Sequence, residues 1–174
     1  MPFTPYHFGP SGFIGLVSKK WLDLPVFVLA NIIVDLEVLI INLFRLGYPF
    51  HRYCHTLLIG SLIGLLWGAS AYPLRRFFKR LMKILRIPYQ TNFRKMLISG
   101  VLGVWLHVLM DGLYHWDVRV FWPSRAMPLY HLLTEQQLKT TCRVFFAAAV
   151  IVYVIMLVCS YKSRINQTSE KTHD

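Results

Sequence analysis

The sequence predicts an all-α fold, a polytopic membrane bundle of about four spanning helices with a short or re-entrant helix ahead of them. Three observations carry that expectation. Hydrophobic residues make up 55% of the 174 positions and charged residues only 16%, where a soluble domain carries about 25% charged residues. Mean hydropathy is +0.45. Apolar stretches also recur at about 20 residues, the length a bilayer core requires.

Taken in order, residues 8–22 form an apolar segment too short to span, with Gly9, Pro10, Gly12 and Gly15 and with Pro10 placed for a first helical turn. The spans follow at 24–44, 55–73, 93–113 and 144–161. Between the second and third lies LRRFFKRLMKILRI at 74–87. Its Arg75, Arg76, Lys79, Lys83 and Arg86 fall on one helical face, and Leu74, Phe77, Leu81, Ile84 and Leu85 on the other. This pattern predicts an amphipathic helix in the membrane interface, its cationic side on anionic lipid head groups. Pro88 ends it, and Asn92 is placed to cap the next span. Residues 1–161 then form one integral membrane domain, and 162–174 a disordered polar tail. The opening Met1-Pro2-Phe3-Thr4-Pro5 has neither a basic n-region nor a small-residue cleavage site. The first hydrophobic helix is therefore expected to be its own export signal.

The formal charge of +11 would suit a nucleic-acid partner, but its placement argues otherwise. Of the 19 Lys and Arg residues, thirteen lie on one side of the predicted spans: Lys19, Lys20, eight between 74 and 95, and Lys162, Arg164 and Lys171. Arg45, Arg52, Arg119, Arg125, Lys139 and Arg143 lie on the other. The positive-inside rule makes the first side, with the C-terminus, cytoplasmic in a plasma (inner) membrane. The charge is a topology signal, and no nucleic acid is expected. Cys54, Cys142 and Cys159 form no CxxC pair and no disulfide framework, and read as small apolar fillers.

Ionisable residues within spans are costly and point to function. The first long span carries Asn31, Asp35 and Glu37, and the third carries His107 and Asp111. Asn31/Asp35 and His107/Asp111 are i, i+4 pairs, each on one helical face; His115 joins the second stripe if that helix runs one more turn. His51 and His55 sit at the mouth of the second span. With the cationic side inside, these residues and His7 converge on one layer in the outer half of the membrane. Interhelical hydrogen bonding explains any one of them. The set exceeds what packing needs, since several carboxylates in a dry site call for a cation. Imidazole and carboxylate donors suit zinc, with manganese or iron as alternatives, and one to three ions.

At these residues the sequence resembles the YdjM-like family of membrane-bound metal-dependent hydrolases. The matching features are His7, IVDLE (33–37), HRYCHT (51–56), HVLMDGL (107–113) and DVRVFWP (117–123), in the family's order across most of the first 133 residues. Val34 stands where the family often has proline, and the His51–His55 spacing is one residue shorter than its usual pattern. The order His, Asp, His, HxxxD is also similar to the zinc-dependent phospholipase C and single-strand nuclease superfamily. That superfamily has a further histidine and a second HxxxD/E, which His115 and HLLTE (131–135, with His131 and Glu135) answer by spacing. The resemblance implies phosphoester hydrolysis, with a lipid or lipid-linked substrate at the outer face. On that reading His55, His107 and Asp111 lead the metal ligands, followed by His7, Asp35, His51 and His115. Asp35 or Glu37 would hold a bridging metal or take a proton from water, and Arg52 would grip the phosphate. Tyr48, Tyr53, Trp116 and Trp122 read as interfacial aromatics. A transporter or proton relay using the same carboxylates is the alternative, and predicts polar positions continuing to the cytoplasmic side.

Overall fold

The computed structural model describes residues 5–47, 51 and 53–170; Arg52 and Tyr48 lie outside them. Every regular element among these residues is helical. A 3-10 turn, Pro5–His7, leads into α1 (Phe8–Val17), followed by α2 (Leu24–Leu43), α3 (Leu57–Ala71), α4 (Arg75–Ile84), α5 (Phe93–Gly112) and α6 (Glu135–Glu170). Four helical stretches are long and apolar enough to cross a membrane: α2, α3 continued through α4, α5, and α6 as far as Lys162. The ten residues of α1 reach about 15 Å, roughly half a bilayer core.

Helix starts follow local chemistry. Asp23 caps α2 by accepting from the Val26 amide (3.2 Å), Thr56 caps α3 through the Ile59 amide (3.1 Å), and Asn92 caps α5 through the Lys95 amide (2.8 Å). Asp23 is fully buried and also accepts hydrogen bonds from the Tyr89 hydroxyl (2.7 Å) and from Thr91. The segment after α4 is thereby clasped to the start of α2.

The helix α5 lies between α2 and α3, α1 packs on α2, and α6 is held through α1. The α3–α5 contact depends on missing side chains. Gly60, Gly64 and Gly68 recur every fourth residue along α3, and a Cβ on Gly64 would stand 2.6 Å from the Val101 Cα and 2.8 Å from the Gly100 carbonyl oxygen. Such small-residue faces let helix backbones touch where lipid supplies no hydrophobic drive. Two apolar cores, around Phe78 and Met96 and around Leu24, Met82 and Ala149, fill the end of the bundle near α4. A third, of Ala30, Val34, Val104, Val108, Val118 and Val120, lies towards the opposite end.

The apolar face read from the sequence for α4, Leu74, Phe77, Leu81, Ile84 and Leu85, is exposed, while Phe78 and Met82 beside it are buried against the bundle. Two expectations need correction. Arg86 is not on that helix; it has φ +55° in the turn beyond it, where the Arg86 and Ile87 amides close the helix end on Lys83 and Met82. Finally, α6 starts nine residues before the apolar stretch and continues through 162–170, a segment expected to be disordered. No Gly or Pro interrupts 135–170, so nothing local stops the helix at either boundary of the apolar run.

Candidate metal centre

The centre forms at the end of the bundle remote from α4. One turn apart on α5, His107 and Asp111 place Nε2 and Oδ2 3.2 Å from each other. From α2, Asp35 Oδ1 comes within 3.2 Å of the same His107 nitrogen. His55, in the turn before α3, points Nε2 to 3.8 Å from both Asp35 Oδ1 and Asp111 Oδ2. These four residues offer donor atoms within 4.8 Å of one another. Around a tetrahedral zinc ion with bonds of about 2.05 Å, neighbouring donors stand about 3.3 Å apart, so the four atoms surround one ion-sized space. The fit is also chemical. Nε2 of His55 and of His107 are buried without a hydrogen-bond partner of adequate geometry, and an orphaned nitrogen of this kind is costly unless something binds it.

Asp111 belongs to a second donor group as well, with His51 and His115. His51 Nε2 is 3.8 Å from Asp111 Oδ2, and the His51 and His115 rings lie 4.4 Å apart. His115 stays near Asp111 because its amide bonds the Asp111 carbonyl (2.8 Å), carrying a helical turn past the end of α5. Burial pushes the His115 imidazole down to about 4 against the pull of Asp111, with His51 lowering it further. It is neutral at pH 7, the form that donates to a metal. On the other side of Asp111, His7 Nε2 approaches Oδ1 at 3.1 Å.

Two more carboxylates stand behind the histidines. Glu37 Oε2 meets His55 Nδ1 at 3.0 Å, and Glu37 Oε1 accepts from the Tyr53 and Cys54 amides at 3.0 and 3.2 Å. Asp117 Oδ1 meets His51 Nδ1 at 2.9 Å, while its Oδ2 accepts from the His51 amide at 3.1 Å. Each carboxylate accepts a hydrogen bond from Nδ1–H, which leaves the Nε2 lone pair facing inward, the arrangement that orients metal-binding histidines. Burial would raise the Asp117 carboxyl, but its bonds to His51 hold it down at about 2. Glu37→Gln and Asp117→Asn are each expected to weaken metal affinity about 10–100-fold without abolishing binding. Competition against a chromophoric chelator measures this; unchanged affinity in both variants would reduce these carboxylates to loop fasteners.

The structure brings together His7, Asp35, His51, His55, His107, Asp111 and His115. It places Glu37 behind His55, not within the donor set. Asn31 gives its side-chain amide to the Val28 carbonyl (2.7 Å), away from the set. His131 and Glu135 do not form the second HxxxD/E pair. His131 is exposed in a loop at φ +67°, and α6 begins only at Glu135, so the two share no helical face. Glu135 instead pairs with Lys139 (2.6 Å) and accepts from the Tyr114 hydroxyl (3.1 Å). Asp117 is the residue to which sequence reasoning gave no role; its only signal was its place in DVRVFWP. The segment is anchored by the Leu57 amide on the Val120 carbonyl (2.9 Å) and by burial of Val118 and Val120. The Cys54 thiol is pushed up to about 12 by burial and by Glu37, and stays a neutral filler. All three cysteines are free.

No family model matches the chain, and neither the curated proteins nor the solved structures contain a match to it.

Proposed function

We propose that the chain is a membrane-embedded, metal-dependent phosphoester hydrolase that uses two ions, zinc in the first instance. The observation that carries this reading is the sharing of Asp111 by two donor groups. A carboxylate common to two adjacent sites fits a pair of ions about 3.5–4 Å apart, the spacing used to clamp attacking and leaving oxygens in a displacement at phosphorus. Asp35, His55, His107 and Asp111 would hold one ion; His51, His115 and Asp111 the other, with His7 fixing the far oxygen of Asp111. When bound, the ions lower the pKa of water and neutralise phosphoryl oxygen charge. In the net reaction the water oxygen joins phosphorus, the ester P–O bond breaks, and the departing oxygen takes one of the water protons. A cleft of about 20 Å³ lined by His7, Asp111, Tyr114, His115 and Glu135 adjoins the second group, room for a water molecule beside it.

The order of the donors along the chain supports the likeness to the YdjM-like hydrolases. The distribution of cationic residues supports an orientation with the centre outward and α4 and the C-terminus cytoplasmic, in a plasma (inner) membrane. A through-membrane relay would need polar groups leading away from the centre. Between the centre and the Asp23 clasp lie Val26, Ala30, Val34 and Val104, all fully buried, with Asn31 the buried carboxamide one turn below Asp35; residues 24–34 and 96–106 hold no Asp, Glu, His, Lys or Arg, and the clasped Asp23 is itself enclosed by hydrogen bonds. That favours a one-sided site.

The test is turnover of bis(p-nitrophenyl) phosphate by detergent-solubilised protein. Hydrolysis is expected after zinc loading, lost on chelation with EDTA and restored by zinc. A zinc-loaded protein that cleaves neither this diester nor a phosphate monoester would contradict the reading.

A further inference from the structure

The chain between α3 and α5 builds a cleft at the end of the bundle remote from the metal centre. The helix α4 runs out from beside Tyr72, the chain turns back at Arg86, and the Tyr72 and Phe93 rings, 5.2 Å apart, bring the two ends of the excursion together. Between α4 and the returning segment lies an open cleft of about 400 Å³, lined by Arg75, Arg76, Lys79, Tyr89, Gln90 and Thr91. Sites for small molecules have this size. The sequence groups Arg75, Arg76, Lys79, Lys83 and Arg86 on one face, but the fold turns only the first three into the cleft.

Both walls are held from behind. Arg75 donates to the Tyr72 carbonyl (3.1 Å), with its guanidinium 4.3 Å from the centre of the Tyr72 ring, and keeps further N–H groups free to donate. On the opposite wall the Tyr89 and Thr91 hydroxyls are taken by Asp23, and Lys95 Nζ donates to the Gln90 carbonyl (2.7 Å). None of these contacts neutralises the cleft. Among the described residues no carboxylate forms an ion pair with Arg75, Arg76 or Lys79, and no Asp or Glu occurs from residue 38 to residue 110. Asp23 is fully buried behind the wall and accepts from Val26 as well as from the two hydroxyls. Arg75 and Lys79 are an i, i+4 pair of like charge and Arg76 and Lys79 an i, i+3 pair, arrangements that cost stability when nothing negative sits between them.

The charge sets the class of ligand. One phosphate group carries about −1.5 to −2 at pH 7, less than three cations can balance. Two linked phosphates match them better, and the planar fork of arginine pairs with two oxygens at once. Among the described residues the lining has no Leu, Ile, Val, Met or Phe, so nothing inside the cleft would take an acyl chain. We infer that the cleft binds a water-soluble anion with two linked phosphate groups, at a site separate from the metal centre. On the proposed orientation it opens on the cytoplasmic side.

The experiment uses full-length protein in phosphatidylcholine nanodiscs and equilibrium dialysis of inorganic pyrophosphate. It is run in Asp111→Asn, whose disabled metal centre removes any pyrophosphate held through a metal. One pyrophosphate per chain should remain, bound about tenfold more tightly than orthophosphate, the effect of one further charged contact. Adding Arg76→Gln or Lys79→Gln should weaken it about tenfold each, and Arg76→Lys much less. Neither glutamine substitution should lower bound zinc in the otherwise wild-type chain, which shows that the fold is intact. Pyrophosphate binding that is absent in Asp111→Asn, or unchanged by Arg76→Gln and Lys79→Gln together, would overturn the inference. Equal affinity for citrate would do the same, because charge alone would then be recognised. So would loss of binding in discs containing phosphatidic acid but not in discs of equal charge made with phosphatidylserine, since the occupant would then be a lipid head group. Turnover enters none of these measurements, so the hydrolase reading stands or falls separately.

Discussion

Asp111→Asn is expected to empty both metal positions, whereas substitutions on either side of it empty one. Asp111 is the residue common to the two donor groups, and its two oxygens face His7, His51, His55 and His107 at 3.1–3.8 Å. Its amide isostere loses the charge that offsets two cations and turns one donor position into an N–H group that repels them. His107→Ala removes a donor from the four-residue group alone, and His115→Ala from the three-residue group alone. Metal content per chain should then fall by about two ions in Asp111→Asn and by about one in each histidine variant. His131→Ala should change nothing, since that side chain is exposed and outside both groups. All four proteins should still insert, because insertion follows span hydrophobicity and these changes do not lower it. Elemental analysis of the purified variants gives the count; full metal in Asp111→Asn would break the two-ion scheme.

Gly64→Val carries the other large effect, on assembly. The new Cβ would press on backbone atoms of α5, the Val101 Cα at 2.6 Å and the Gly100 carbonyl oxygen at 2.8 Å, and backbone cannot rotate away. Overpacking of a core side chain costs about 1–3 kcal/mol; a backbone-on-backbone clash should cost ~3 kcal/mol or more. Because α3 begins just after His55 and α5 carries His107 and Asp111, separating the helices also pulls the donor set apart. The variant should lose most of its monodisperse fraction in detergent, and what remains should bind little metal. Gly12→Ala is the control, since its Cβ would meet only the Ala149 Cβ at 3.9 Å, and its unfolding temperature should match wild type. Wild-type behaviour of Gly64→Val would refute the α3–α5 contact.

Much of this was legible in residue order. The starts and ends of α2 and α5 follow from apolar length and from polar caps such as Asn92, and both features are local. The depth argument gathered His7, Asp35, His51, His55, His107 and Asp111 into one layer, because the spans alternate in direction. Local reading failed where a role depends on a distant partner. Asp35 and Glu37 are two residues apart on a helix and therefore face nearly opposite ways. The spacing alone does not reveal that both reach the same His55 ring, Asp35 at Nε2 and Glu37 at Nδ1. Asp117 lies in a loop without periodicity, and its pairing with His51 spans 66 residues. The start of α6 was missed because its first turns are polar and exposed, so apolarity gives no sign of them. The glycine repeat on α3 is visible as a spacing of four, whereas the α5 backbone it receives is not.

An anomalous-difference map at the zinc edge, from crystals grown with zinc, tests the account most directly. Two peaks about 3.5–4 Å apart are expected on either side of Asp111. One should lie among Asp35, His55 and His107, and the other beside His51 and His115. No peak at these residues, or a peak only at an exposed histidine such as His131, would contradict it.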